Sequence, residues 1–235
     1  MQTLNMLLSA VDYDNMYVIV TLSILPLMLL MFISGISVQL TFKKNAKKVS
    51  SSGLTGAEAA RQMLSYYGIS NVQVFRGGPG QDYFDPRSNS VTLSPEAFDG
   101  RTITATATAC HEVGHACQYA QDYTPMKIRG AIVPAVNLAS NAWIFLLMAG
   151  IVLNIAGLTT AAIIMYAVVV LFQLVTLPVE FNASQRAMAY MGQIGLPAQE
   201  RKGAFDVLRA CAFTYLAAAL TSILQLLWLL GQRQE

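Results

Sequence analysis

Long apolar runs alternate with charged segments along this chain, and the runs set its architecture. No Asp, Glu, Lys or Arg occurs between Asp14 and Lys43, which brackets an apolar stretch of roughly 16–40. A bilayer core needs about 20 helical residues, so this stretch is long enough to span one. A second run, 130–179, is also free of charge. As one helix it would be about 75 Å long, more than twice the core thickness. It must fold back, and Asn154-Ile-Ala-Gly157-Leu-Thr159-Thr160 offers the turn. The spans are then 133–154 and 159–177, and a last run at 210–232 makes a fourth.

Between the first two runs the pattern is that of a folded segment. Thr55-Gly-Ala-Glu58 has the form of a capping box, and Ala59, Ala60, Met63, Leu64 and Tyr67 recur at helical spacing before Gly68 closes the helix. Residues 71–75 read as a strand and 77–80 as a turn. Segments 81–84 and 90–94 flank Asp85-Pro-Arg-Ser-Asn89 as a hairpin. Two uses of this small α/β segment stay open: a platform packed on the membrane, or a platform whose strand 91–94 is an edge to which an extended peptide adds.

The stretch TITATATACHEVGHACQYAQ at 102–121 mixes two signals. Its Thr/Ala alternation has the period of a strand, whereas HEVGH makes chemical sense on a helix, where residues four apart share a face. Ala is the best helix former, Thr only mildly unfavourable, and the alternation lacks apolar/polar contrast. A helix from about Ile103 is expected, capped by Thr102 after the break at Asp99-Gly100.

Composition agrees with the spans. The 235 residues are 54% hydrophobic and 12% charged, against about a quarter charged in soluble domains. A net charge of +2 gives no reason to expect nucleic acid as a partner. Cys110, Cys117 and Cys211 fit no disulfide framework, and Cys110 and Cys117 read as small buried thiols. Lys43, Lys44, Lys47 and Lys48 follow the first span directly. Of the 15 Lys and Arg, ten lie between Lys43 and Arg129 and four between Arg186 and Arg209. By the positive-inside rule both segments are cytoplasmic and the N-terminus is outside. The first run lacks a basic n-region, so it reads as an anchor rather than a signal peptide.

Chemistry concentrates at one place. The chain has two histidines, His111 and His115, both in HEVGH. At i and i+4 they can bind one Zn²⁺ per chain, with Glu112 beside them as general base for a metal-activated water. A catalytic zinc has three protein ligands, and with no further His the third is expected to be a carboxylate. Asp122 lies too far along a continuing helix, and Glu235 falls beyond the last span. Glu180 returns to the motif's membrane face at the end of the 130–179 hairpin and is the expected third ligand, its alternative role being an ion pair with Arg186. Ser184, one turn on, can hydrogen-bond a ligand. Arg186 and Tyr190 are candidates to stabilise the oxyanion.

The segments GLTGAEAARQML (53–64), DYFDPRSNSVTLS (82–94), ATACHEVGHACQYAQDYTP (107–125) and LPVEFNASQRAMA (177–189) resemble the bacterial neutral zinc metallopeptidases of the YugP type. They are more distantly similar to the HtpX-like and prenyl-protein membrane proteases. The resemblance runs over about 53–230. It implies a membrane-bound peptidase whose third zinc ligand is the Glu matching Glu180. The chain departs from the pattern at Ser184, where the distant relatives have Asp, and at Tyr83, where family members often have His.

The expected fold is a mainly α membrane protein: four transmembrane helices with a small cytoplasmic α/β zincin-like platform carrying the HExxH helix. Its segments are 1–42 (tail and first span), 43–129 (metallopeptidase segment), 130–179 (transmembrane hairpin), 180–209 (cytoplasmic helix with the third ligand) and 210–235 (last span and tail). The expected function is a zinc-dependent metalloendopeptidase of the bacterial inner membrane, multi-pass, acting at the cytoplasmic face. Its partners are the lipid bilayer and a peptide or membrane-protein substrate, with a homo-oligomer or regulatory partner left open. The alternative is a non-catalytic membrane scaffold or regulator with a structural zinc. A channel or transporter has little support, because no span carries an internal acid or base.

Overall fold

The structure, a computed structural model, describes residues 13–231, with side chains from residue 26 onward. The N-terminal tail with Asp12, and Glu235, lie outside the described residues. The chain is mainly helical with one small sheet. Among the described residues four helices are long and apolar enough to cross a membrane, at Pro26–Ala46, Thr124–Val152, Ala156–Gln193 and Ala198–Gly231. The first of these stretches belongs to α1 (Tyr13–Ala46), whose last turn carries Lys43 and Lys44.

The chain divides into two compact units. One gathers Ile132–Leu174 with the described parts of Met1–Ile33 and Leu216–Glu235. Within it, α5 (Thr124–Val152) stops and α6 (Ala156–Gln193) begins after a three-residue connection. Asn154 turns the chain there in the left-handed region, φ +53°, which Asn tolerates better than most residues. The turn sits at the start of the expected 154–160 stretch and is tighter than that stretch. Gly150 makes it so: a Cβ there would lie 2.6 Å from Thr159 Oγ1 and 2.7 Å from its backbone nitrogen. Ile163, Tyr166, Val170 and Leu229 form the core of this unit. Tyr166 donates a 2.8 Å hydrogen bond to Gln225 Oε1 of α7 (Ala198–Gly231), a polar tie of the kind that joins helices in lipid.

The other unit, Ser34–Ala131 with Val175–Tyr215, holds the sheet and the motif helix. α2 (Gly56–Tyr66) starts at a complete capping box: Glu58 N donates to Thr55 Oγ1 and Thr55 N donates to Glu58 Oε2. Gly68, φ +69°, follows its end. The sheet comprises β1 (Gln73–Arg76), β2 (Tyr83–Asp85) and β3 (Ser90–Leu93) in the order β1-β3-β2. β2 and β3 form the expected antiparallel hairpin, Phe84 opposite Val91.

Strand 91–94 is not an edge, which removes the second of the two uses left open for this segment. β1 lies parallel along the other side of β3, Val74 opposite Val91, so β3 is central and all four of its residues are buried. The edges belong to β1 and β2. After the short α3 (Pro95–Phe98) comes α4 (Ile103–Ala120), capped by Thr102, whose hydroxyl accepts from Ala105 N at 3.2 Å. The helix prevails over the Thr/Ala alternation because its small side chains fit a crowded place. Ala107, Ala109, Cys110 and Val113 are fully buried in a cluster with Met63 of α2, Leu93 of β3, and Ala187 and Tyr190 of α6. α6 runs unbroken through Pro178, so the boundary expected at residue 180 falls inside one helix.

Candidate metal centre

α4 presents His111 and His115 one turn apart, with ring centroids 4.8 Å from each other. α6 brings Glu180, buried to 3% exposure, against both. Glu180 Oε2 lies 3.2 Å from His111 Nε2 and 3.5 Å from His115 Nε2. One donor atom from each residue falls within 4.8 Å of the others. Zinc–donor bonds of about 2.0–2.1 Å in a tetrahedron separate the donors by about 3.3 Å, so the two carboxylate–imidazole spacings suit that ion. Two imidazoles and one carboxylate are also a donor set that catalytic zinc uses, with one position left for water.

The helices can meet this closely because position 114 of HEVGH is glycine. The neighbours of the donors hold them in turn. Ser184 Oγ is 3.2 Å from His111 Nδ1. Gln118 Oε1 is 3.1 Å from His115 Nδ1. Arg129 Nη1 stands 3.6 Å from Glu180 Oε1, the carboxylate oxygen turned away from the imidazoles.

Glu112 is buried beside this group without being one of the three converging donors. Burial pushes its carboxyl up to about 7, and the negative charges of Glu180 and Asp82 add to the effect. His111 and the Phe84 backbone amide act in the opposite direction. Asp82 itself accepts from Ser94 N at 2.8 Å, pinning the start of β2 to the end of β3.

Other expectations are placed elsewhere. Arg186 does not pair with Glu180: its Nε donates to Asn182 Oδ1 at 2.7 Å and its Nη1 to Gln121 Oε1. Tyr190 is in the core, 1% exposed, edge-on to Tyr66 at 5.5 Å. It lies about 15 Å along α6 from Glu180 at 1.5 Å per residue. Neither side chain is brought to the donors. α4 does not continue through Asp122 but ends at Ala120; Asp122 has φ +56° and pairs with Lys127 at 2.7 Å.

Sequence reasoning missed Gln118 and Arg129. For Gln118 a signal existed, since a polar side chain three residues beyond a metal-binding His shares its side of the helix. For Arg129 there was none, because its approach to Glu180 depends on tertiary packing alone.

A family described as "Putative neutral zinc metallopeptidase" matches residues 20–234. Among curated proteins, the "Putative membrane protease YugP" of Bacillus subtilis is 42% identical over 200 residues, covering 84% of this chain and 89% of that relative. No solved structure matches.

Proposed function

This chain belongs to that neutral zinc metallopeptidase family, and we propose that it is a membrane metalloendopeptidase cleaving protein or peptide substrates at the cytoplasmic face of the bilayer. Zinc is its cofactor, and in this reading one ion per chain is held by His111, His115 and Glu180. A single observation carries the reading: three donors converge beside a fourth buried side chain, Glu112, which is not needed to hold the ion.

When bound, zinc supplies Lewis acidity, lowering the pKa of water to about 7 and polarising a carbonyl. The chain's own residues do the rest. Glu112 takes the proton of the attacking water and delivers it to the leaving amine. Arg129 holds Glu180 Oε1, which leaves Oε2 facing the imidazoles. Ser184 steadies the His111 ring. β2 is an edge strand whose Phe84 backbone lies near enough to Glu112 to affect its charge, and an extended substrate can lie along that edge. Lys43 and Lys44 in the last turn of α1, with Lys47 and Lys48 beyond it, support cytoplasmic placement of the segment that follows.

Glu112→Gln tests the proposal. Purified in detergent, it should keep its zinc and lose peptidase activity by about 10²–10⁴-fold. A variant with full zinc content and full activity overturns the assignment. A scaffold with a structural zinc requires that outcome, together with loss of the fold in His111→Ala.

A further inference from the structure

We propose that Gln118 is a positioning residue that fixes the tautomer of His115, holding Nε2 as the nitrogen with a free lone pair. The inference rests on the reading that His111, His115 and Glu180 hold zinc. Gln118 is completely buried on α4, three residues after His115. Its Nε2 donates to the Val179 carbonyl at 2.7 Å and to Asn182 Oδ1 at 3.1 Å, while its Oε1 lies 3.1 Å from His115 Nδ1.

These contacts admit one orientation of the amide. A backbone carbonyl only accepts, so the end of Gln118 that faces Val179 must be the NH₂ group. Asn182 enforces the same choice. Its Oδ1 also receives Arg186 Nε at 2.7 Å, and a guanidinium only donates, so Asn182 turns its oxygen towards Gln118. Arg186 is itself held by Gln121 through Nη1. The amide oxygen of Gln118 is therefore left for His115. A neutral imidazole meeting an acceptor at Nδ1 carries its proton there, which frees Nε2. Nε2 is the nitrogen that lies 3.5 Å from Glu180 Oε2.

His111 has no such constraint. Its partner is the Ser184 hydroxyl, which donates or accepts with equal ease and permits either tautomer. The two ligands of one motif are thus held differently: His115 is fixed by an oriented chain of hydrogen bonds running back to Arg186, and His111 adapts.

The chain's two histidines make this directly readable. Protein labelled with ¹⁵N-histidine and stripped of zinc by a chelator contains two imidazoles, so nitrogen spectra report which ring nitrogen of each carries the proton before any metal can dictate it. In the wild type, His115 should carry a slowly exchanging proton on Nδ1. Gln118→Met keeps the length and removes the acceptor. It should bind zinc about 10–100-fold more weakly in chelator competition, with the His115 Nδ1 proton exchanging freely and His111 unchanged. Unaltered zinc affinity in Gln118→Met overturns the role of Gln118 while leaving the metal site standing. A wild-type His115 protonated on Nε2 overturns it without any variant, so a poorly folding Gln118→Met does not block the test. Wild-type protein that binds no zinc overturns the metal site and this inference together.

Discussion

Gly114 lies against the backbone of Ala183: a Cβ at Gly114 would fall 2.6 Å from the Ala183 carbonyl oxygen and 3.0 Å from its Cα. Gly114 immediately precedes His115, and Ala183 lies three residues beyond Glu180. The spacing between α4 and α6 at this crossing therefore sets how far Glu180 reaches towards the two imidazoles.

Gly114→Ala should accordingly act on the metal site. The atom in the way is backbone, so a helix must move rather than a side chain. Overpacking of this kind costs about 1–3 kcal/mol. We expect a lower midpoint of thermal unfolding and weaker zinc binding, both measured on detergent-purified protein. A variant with wild-type values for both would show that the crossing relaxes freely.

Removing the metal should destabilise the protein. An ion that binds only the folded state contributes about 2.7 kcal/mol when present at 100 times its dissociation constant. Chelation should lower the wild-type unfolding midpoint and added zinc restore it. In Glu180→Ala the gap between chelated and zinc-supplemented samples should shrink towards zero. A gap of wild-type size in that variant would remove Glu180 from the ligand set.

The capping box of α2 offers a test away from the site. Thr55→Ala removes the acceptor for Glu58 N and should cost about 1 kcal/mol. The Glu58 carboxyl is held below its usual value first by the Thr55 backbone N–H and then by the Thr55 hydroxyl. A depressed folded-state pKa means stabilisation present above the unfolded-state value and lost as pH falls through the folded one. The difference between wild type and Thr55→Ala should therefore narrow on acidification below about pH 4. Denaturant titrations at neutral and acidic pH would measure it.

Cys110 and Cys117 should be inert in the folded protein. Both are fully buried, and burial pushes their thiols up to about 12 and about 11 respectively. Thiolate is the reactive form. Alkylation of native protein followed by peptide mapping should leave both unmodified, and denaturant should expose both. Rapid labelling of Cys117 without denaturant would contradict the packing of α4.

Much of this was legible in the sequence because it is local. The Thr102 cap, the Thr55–Glu58 box, the His pair at one-turn spacing and the Asn154 turn each depend on residues within a few positions. The four apolar helices follow from runs of composition. Ser184 beside His111 was also readable, since one turn of helix separates it from Glu180.

What failed was non-local. The central place of β3 depends on a parallel pairing with β1 that no turn residue announces. The Arg186–Glu180 pair fails for a simpler reason. Six residues on is about 240° round a helix, away from the three- and four-residue spacings at which side chains meet. Arg129 completes the surroundings of the donors through a contact with α6 that only the folded chain creates.

The β2 group that favours the charged form of Glu112 is the main-chain amide of Phe84. Every residue but proline carries that amide, so ordinary substitutions at position 84 leave the donor in place. This support for the proposed base is encoded in the path of the strand rather than in the identity of any side chain. A homologue could therefore diverge at position 84 and keep the interaction, while a shift of β2 by one residue would abolish it with every side chain unchanged.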